Sequence, residues 1–336
     1  MDTNPKLFPS ERKNGMNSKE WFKNAKFGMM VHWGLYSLLA GEYKGRYMDQ
    51  IGEWAQSYFR IPNAEYHRLA SAFNPLYFNA EEWVKCAKSA GMAYMVVTAK
   101  HHEGFALFDS AASDFNIVRA TPFGRDVIAE LAEACYKHSM KLGLYYSQAI
   151  DWAHPDGLSY TGCLNCDVMS WGNEWDYPDN SKKNYRRCYE EKIKPQVKEL
   201  LTKYGELCLI WFDTPFGLAP EYSLELYHMV KTYQPRCLVN SRIGNGLGDY
   251  TSAGDNQIPD EDMGERLFES PVTLNDTWGF KAQDQNWKSP ERILGLKNHL
   301  NRRGINLLLN IGPDALGRFP AKSVEILEDL GKHSSK

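Results

Sequence analysis

Short apolar runs alternate along the chain with segments whose apolar residues recur at helical spacing. Apolar runs of strand length lie at 27–34, 94–99, 142–147, 207–213, 237–242 and 305–311. Amphipathic helical patterns lie at 79–90, 126–137, 183–204, 221–231, 290–303 and 320–330, and Pro195 is expected to kink or split the third of them. Near-continuous apolar strands separated by helices predict a parallel sheet that is buried on both faces.

The number of strand–helix units favours a (β/α)8 TIM-like barrel of the α/β class. The chain has 336 residues, and a barrel of this kind typically needs ~250. No G-x-G-x-x-G motif follows the first apolar run, which argues against a doubly wound dinucleotide-binding fold. We expect an N-terminal extension over 1–20 and a single catalytic domain over 21–336. Long loops are expected at the C-terminal face of the barrel, at 36–62, 150–180 and 243–284.

Polar side chains stand at the C-terminal ends of five predicted strands. They are His32 and Trp33, then His101, His102 and Glu103, then Tyr146 and Ser147, then Trp211 and Asp213, and finally Asn240 and Arg242. In a barrel these ends meet on one face, where active sites are built. The pattern therefore predicts an enzyme. Asp213 ends the most apolar of these strands and is a candidate nucleophile or base, with the N-cap of a following turn as the alternative.

The two adjacent histidines are a poor pair of metal ligands. Neighbouring residues point in opposite directions if the strand is still extended at His101 and His102. A zinc site would need His32, one of these two and Asp213 to converge. Neither H-x-H nor H-E-x-x-H occurs in the chain. We therefore expect no metal, and neutral imidazoles that hydrogen-bond a polyhydroxylated ligand.

Composition and charge exclude several other classes of protein. The formal charge of −3, from 39 Lys and Arg against 42 Asp and Glu, gives no support for a basic nucleic-acid-binding face. No apolar run approaches the ~18–20 residues that cross a bilayer, and no secretory signal is visible, so a cytoplasmic protein is expected. The seven cysteines are scattered, and Cys163 and Cys166 form a lone C-x-x-C, which predicts neither a disulfide framework nor a zinc site.

Several motifs together resemble the α-L-fucosidase family of retaining glycoside hydrolases. These motifs are AKFGMMVHWG, VVTAKHHEGFALFDS, LGLYYS, LIWFD and GINLLLNIGPDALGR, and the likeness runs from about Trp21 to Arg318. Glu103 stands where the family usually has Asp. The resemblance implies that Asp213 is the nucleophile. It also implies ligand contacts at His32, Glu53, Trp54, His101, His102, Tyr146, Trp211, Arg242 and Trp278.

The resemblance leaves two candidates for the acid/base residue. Asp255 lies in the Gly-rich, acidic segment 243–262, in a turn that one branch of the family shares, although most members use Glu there. Glu269 is the alternative, and otherwise a substrate contact. We favour Asp255, because Gly254 before it permits the close approach that a shorter carboxylate needs.

The implied reaction is removal of terminal α-L-fucose by double displacement, without metal or organic cofactor. The leading substrate is a small oligosaccharide with α-1,6-linked fucosyl-N-acetylglucosamine. Many members carry a β-sandwich after the barrel, and this sequence ends too soon for one. Loops or a neighbouring subunit are therefore expected to supply that wall of the site, and a homo-oligomer is expected. The alternatives are a metal-dependent barrel hydrolase and a non-catalytic sugar-binding barrel.

Overall fold

Eight parallel strands form one sheet in the computed structural model, which describes residues 17–158 and 169–334. The strands of the chain are β1 (Phe27–Val31), β2 (Glu42–Tyr43), β3 (Arg46–Tyr47), β4 (Tyr94–Lys100), β5 (Lys141–Tyr146), β6 (Leu209–Phe212), β7 (Leu238–Val239), β8 (Thr251–Ser252), β9 (Phe268–Thr273) and β10 (Ile305–Ile311). β2 and β3 form a separate antiparallel hairpin. The other eight lie in the order β7-β6-β5-β4-β1-β10-β9-β8.

A parallel bridge between Asn240 and Tyr250 joins the two edges of this sheet. Asn240 directly follows β7 and Tyr250 directly precedes β8. The sheet therefore closes on itself, which confirms the predicted α/β class and the (β/α)8 TIM-like barrel.

Helices surround the barrel and cover its N-terminal end. They are α1 (Ser18–Ala25), α2 (Tyr36–Leu39), α3 (Ala55–Phe59), α4 (Asn63–Tyr66), α5 (Ala80–Ser89), α6 (Val127–Lys137), α7 (Tyr185–Cys188), α8 (Lys194–Lys203), α9 (Pro220–Tyr233), α10 (Pro290–Arg302) and α11 (Ala321–Ser334). Short 3-10 helices occupy Gly52–Trp54, His67–Ala72, Asn180–Lys182 and Ser241–Ile243. A π-helical turn, Tyr189–Ile193, separates α7 from α8. The helix expected over 183–204 is therefore divided just before Pro195, which lies in the first turn of α8.

The pleat of the strands sorts their side chains into two cores. In β6, Leu209 and Trp211 face the barrel interior, whereas Ile210 and Phe212 pack in the layer between strands and helices. Phe22 of α1 belongs to the interior core, where its ring lies 4.5 Å from the ring of Tyr250. The barrel is therefore packed from its N-terminal end, and polar groups concentrate at the opposite end.

Two strands lie inside the segment 243–284 that was predicted to be a loop. β8 has only two residues, and β9 has the sequence FESPVT, in which Glu269 and Ser270 interrupt the apolar pattern although both are buried. A strand that buries polar side chains inside a barrel has no continuous apolar run. The prediction of one uninterrupted loop was therefore wrong.

Three further findings concern predictions about the compartment and the cysteines. None of the described helices combines the length and the apolar character that crossing a membrane requires. Cys86, Cys135, Cys188, Cys208 and Cys237 are free thiols, and all but Cys86 are buried. Cys163 and Cys166 lie outside the described residues.

Candidate active site

Asp213 lies directly after β6 at the C-terminal end of the barrel, at the position predicted from the sequence. Its Oδ2 accepts a hydrogen bond from the Tyr145 hydroxyl at 2.8 Å, and its Oδ1 accepts one from Nη1 of Arg242 at 2.9 Å. Its backbone N–H donates to Oε1 of Gln148 at 2.9 Å. Charge-assisted hydrogen bonds of this kind stabilise the ionised form of a carboxylate and fix its orientation.

Arg242 connects Asp213 to a second carboxylate. Its Nη2 donates to Oδ1 of Asp255 at 2.6 Å and to the carbonyl of Ala253 at 2.8 Å. The guanidinium lies 4.6 Å above the ring of Trp211. Burial lowers the pKa of Arg242, but the carboxylates of Asp255 and Asp213 more than offset this and raise it, so the side chain stays charged. Arg242 therefore links Asp255, a carboxylate of the acidic segment 243–262, to Asp213.

Two other acidic residues of that segment have partners elsewhere. Asp249 forms an ion pair with Lys231 at 2.5 Å, and Oδ1 of Asp260 lies 3.2 Å from Nε2 of His299. Asp255 differs from Asp249 because half of its side chain, 51%, remains exposed at the mouth of the barrel. It is therefore the acidic residue of this segment that reaches both Arg242 and solvent.

Three buried imidazoles cluster beside Asp213. The ring of His101 lies 4.1 Å from that of His102 and 5.4 Å from that of His32. His101 and His102 do not diverge, because β4 ends at Lys100 and the chain turns, so the condition of an extended strand is not met. His102 Nε2 lies 3.9 Å from Oδ2 of Asp213. The predicted histidines therefore share one side of the site.

Burial keeps these imidazoles neutral. It lowers the pKa of His32 to about 4 and lowers the pKa values of His101 and His102 well below the usual range. Nδ1 of His32 pairs with Oδ1 of Asn310 at 2.6 Å, and Nδ1 of His102 pairs with the Ser147 hydroxyl at 2.7 Å. Each pairing orients a ring whose other nitrogen can contact a hydroxyl group.

The described part of the chain contains no group of three or more His, Cys, Asp or Glu residues arranged to hold a metal ion.

Glu53, Trp54 and Trp278 line the wall between β1 and the long loops. Oε2 of Glu53 accepts a hydrogen bond from the Gly279 N–H at 2.8 Å, and burial raises the pKa of Glu53 to about 7. The ring of Trp54 lies 5.2 Å from that of His102, and the ring of Trp278 lies 5.3 Å from that of His32. All three predicted contacts thus border the histidine cluster.

The Tyr146 side chain lies on the outer face of β5, away from the site, whereas the Tyr145 side chain lies on the inner face and borders the site. The Tyr146 hydroxyl donates to Oε1 of Gln196 of α8 at 2.8 Å, in the layer outside the barrel. Tyr145 faces inward and stacks against His101 at 5.2 Å. Neighbouring strand residues face opposite ways. The signal was present in the sequence: Leu142 and Leu144 form the apolar outer face, and Tyr146 continues their alternation.

Glu269 lies beneath the site and contradicts both roles predicted for it. Its side chain is fully buried, with Oε2 accepting from the Tyr94 hydroxyl at 2.6 Å and Oε1 accepting from Nε1 of Trp211 at 2.9 Å. Trp211 separates it from Arg242. Its complete burial and its two hydrogen-bond donors argue against a role as a ligand contact or as an acid that exchanges protons with solvent. Burial raises its pKa to about 7.

Sequence reasoning named Ser147 only as a polar residue at a strand end, and it missed Gln148 and Asn310, which also orient the predicted residues. Gln148 accepts from the Asp213 N–H and donates through Nε2 to the carbonyl of Arg242 at 3.0 Å. Asn310 and Ser147 orient His32 and His102. Asn310 and Ser147 lie at or just after strand ends, which was the available signal, but amides and hydroxyls there are common in any barrel.

Comparison with known proteins gives a consistent assignment. The family model described as Alpha-L-fucosidase matches residues 5–336. A putative alpha-L-fucosidase of Caenorhabditis elegans is 30% identical over 335 residues, which cover 93% of this chain and 64% of that protein. The tissue alpha-L-fucosidase of Rattus norvegicus is 30% identical over 339 residues, covering 93% and 67%. The chain thus spans about two thirds of the length of these curated relatives.

Solved structures match over almost the whole chain. The alpha-L-fucosidase AlfC from Lactobacillus casei in complex with alpha-L-fucose product is 50% identical, with a TM-score of 0.91, covering 95% of this chain and 98% of that one. A mutant of AlfC in complex with Fuca(1,6)GlcNAc is 49% identical, with a TM-score of 0.90, covering 94% and 98%. An alpha-L-fucosidase from Vibrio sp. strain EJY3 is 39% identical, with a TM-score of 0.87, covering 94% and 54%.

The variant Glu269→Gln is expected to be more stable relative to wild type at pH 8 than at pH 5. Burial raises the pKa of Glu269 from 4.5 to about 7, so the folded protein keeps a proton that the unfolded chain loses, and wild type loses stability as the pH rises through this range. Glutamine does not titrate. The difference in free energy of unfolding should grow by up to about 3 kcal/mol, measured by urea denaturation.

The matched control is Glu82→Gln, which changes an exposed carboxylate on α5. Its difference from wild type should stay the same at both pH values. A constant difference for Glu269→Gln as well would show that this carboxylate is ionised in the folded protein at pH 5.

Proposed function

Because the chain belongs to the alpha-L-fucosidase family, whose members are glycoside hydrolases, we propose that it removes terminal α-L-fucose by a retaining double displacement. The observation that carries this proposal is the pair of carboxylates, Asp213 and Asp255, on the two arms of the Arg242 guanidinium. Retaining hydrolysis needs two carboxyl groups roughly 5–5.5 Å apart. Here Nη1 of Arg242 lies 2.9 Å from Oδ1 of Asp213 and Nη2 lies 2.6 Å from Oδ1 of Asp255, so one side chain brings both carboxyl groups to the same cleft.

The proposed substrate is a small oligosaccharide with fucose α-1,6-linked to N-acetylglucosamine. Support comes from the AlfC mutant that was solved with Fuca(1,6)GlcNAc, since that chain is 49% identical to this one. In this site the neutral imidazoles of His32, His101 and His102 would bind sugar hydroxyls. Trp54 and Trp278 would offer aromatic faces to the apolar parts of the sugar, including the 6-deoxy methyl group.

In the first step Asp213 attacks the anomeric carbon, and Asp255 donates a proton to the leaving oxygen. The hydrogen bonds from Tyr145 and Arg242 hold Asp213 as a carboxylate aimed from the end of β6. Asp255 is half exposed, so it can take up its proton from solvent.

Arg242 would act in both steps through its charge. In the free enzyme its guanidinium is shared between Asp213 and Asp255. Once Asp213 has become a fucosyl ester, it carries no charge, and the whole positive charge acts on Asp255. That stabilises the ionised form of Asp255, which is the form that must accept a proton from water in the second step. The charge of one arginine thus favours the basic role of Asp255 in the second step.

Residues 21–336 would act as one catalytic domain after an extension over 1–20. The free thiols of the described cysteines support a reducing compartment such as the cytoplasm.

A homo-oligomer is supported by an exposed apolar patch of Leu76, Tyr77 and Leu316, in which the Tyr77 N–H donates to the Leu316 carbonyl at 3.0 Å.

Asp213→Ala should abolish turnover of an aryl α-L-fucoside while the fold stays intact. Loss of the nucleophile should lower kcat at least a thousandfold, about 4 kcal/mol in barrier. Azide should restore activity by occupying the vacated space, and it should yield a fucosyl azide of inverted configuration, identified by NMR. If the variant keeps more than about a tenth of wild-type kcat, too little is lost for a nucleophile and Asp213 has another role.

Asp255→Asn should slow hydrolysis of a fucosyl disaccharide far more than that of a nitrophenyl fucoside. A sugar alkoxide needs a proton in order to leave, whereas a nitrophenolate leaves with little help. Azide should now give a product of retained configuration. Glu269→Gln is the comparison, and it should affect both substrates equally, because this residue lies beneath Trp211. The opposite pattern, with leaving-group dependence only in Glu269→Gln, would exchange the two assignments.

Tyr145→Phe and Tyr146→Phe remove the same hydroxyl from opposite faces of β5. Tyr145→Phe removes a hydrogen bond to the charged Asp213, so kcat/KM should fall about 10- to 100-fold. Tyr146→Phe removes only the bond to Gln196, so kcat/KM should stay within about twofold while the free energy of unfolding falls by about 1 kcal/mol. Equal loss of activity in both variants would contradict the inward position of Tyr145.

A further inference from the structure

Aromatic rings form a line from the floor of the site to the protein surface. The ring of Trp54 lies 5.2 Å from that of His102, the ring of Trp171 lies 5.1 Å from that of Trp54, and the ring of Phe216 lies 5.3 Å from that of Trp171. Exposure increases along this line: Trp54 is buried, Trp171 is partly exposed and Phe216 is 51% exposed. The line therefore leads outward from the histidine cluster to solvent.

The outer end of the line is close to Asp213 along the chain. Phe216 follows Asp213 by three residues, in a turn in which the Leu218 N–H donates to the Pro215 carbonyl at 3.0 Å. The same turn packs on the chain that follows Arg242, since a Cβ added to Gly244 would lie 2.5 Å from Cβ of Pro215. The turn that carries Phe216 thus joins the segment after Asp213 to the segment after Arg242.

The backbone between Asp213 and Phe216 is strained. Thr214 has a φ of +48°, in the left-handed region that β-branched residues rarely adopt. Such conformations cost free energy and concentrate at functional sites, where the surrounding structure maintains them. Here the strained residue is the one that redirects the chain from the end of β6 to the rim.

We infer that Trp171 and Phe216 form the subsite for the leaving group, and that they bind a pyranose with one uninterrupted apolar face, such as N-acetylglucosamine. This inference rests on the proposed function, because it places the second sugar of the same substrate. The rings at the rim offer faces and edges, whereas the floor offers imidazole nitrogens and carboxylates. Sugar rings with equatorial hydroxyls present C–H groups on their faces, which pack against aromatic rings.

The chemistry at the two ends of the line differs accordingly. At the floor, hydrogen bonds from fixed side chains would recognise the hydroxyl pattern of fucose. At the rim, stacking would recognise a flat apolar face and would tolerate different substituents on the second sugar.

The test is Phe216→Ala, assayed with two substrates that share the fucosyl group. For fucosyl-α-1,6-N-acetylglucosamine, kcat/KM should fall between about threefold and tenfold, the range for loss of one aromatic contact. For α-L-fucosyl fluoride, whose leaving group has no ring, kcat/KM should change by less than about twofold. Phe216→Tyr keeps the aromatic face and should restore the disaccharide value.

Tyr233→Ala is the matched control, because it removes an exposed aromatic ring at the end of α9, where the chain leads to the start of β7. It should change neither substrate. Equal losses for both substrates in Phe216→Ala, or no loss for the disaccharide, would overturn the subsite.

A binding measurement separates this inference from the catalytic proposal. In the Asp213→Ala background, Phe216→Ala should weaken binding of the disaccharide by a similar factor and leave the Kd for free fucose unchanged. This comparison decides the subsite even if wild type fails to hydrolyse any fucoside, a result that would contradict the proposed function instead. An unchanged Kd for the disaccharide would overturn the subsite.

Discussion

The ion pairs of Arg242 are the interaction on which the site depends. A buried guanidinium is costly unless its charge and its donors are satisfied, and here Asp213, Asp255 and the Ala253 carbonyl satisfy them. The arginine is held from below by the Trp211 ring and through its backbone by Gln148. Because two carboxylates share one cation, displacing any of the three would leave a charge near the mouth of the barrel without its partner.

The support for this arrangement extends into the barrel. Trp211 is fixed by the carboxyl of Glu269, which also accepts from Tyr94, while Phe22 of α1 packs against the rings around them. A fully buried carboxyl is tolerated because two donors satisfy it and because burial raises its pKa towards neutrality. The interior of the barrel is thus packed from α1 at its N-terminal end to the Trp211 indole under Arg242, and this packing supports the site from below.

The parts of the structure that could be predicted are those in which burial follows chain position. β1, β4, β5, β6 and β10 bury both faces, so their apolar runs are continuous and their strand ends could be located. β8 and β9 were missed because β8 is short and β9 buries Glu269 and Ser270. The period-two alternation could have placed Tyr145 inside, but the resemblance alone did not distinguish it from Tyr146. No sequence pattern indicates that Trp211 lies above Glu269, since this depends on how the rings stack across the barrel.

The barrel closes between the two shortest strands of its sheet, β7 and β8. From β7 through β9 the chain forms one 3-10 turn, Ser241–Ile243, and no longer helix. The seam is joined by the bridge between Asn240 and Tyr250 and by hydrogen bonds from the Asp249 and Tyr250 N–H groups to the Val239 carbonyl. Asp213 follows a strand with neighbours on both sides, whereas Asp255 follows β8, at the seam, in a loop that contains no helix. Insertions and substitutions around 244–267 can therefore reshape the half of the cleft that contains Asp255 during evolution, while the half that contains Asp213 keeps its geometry.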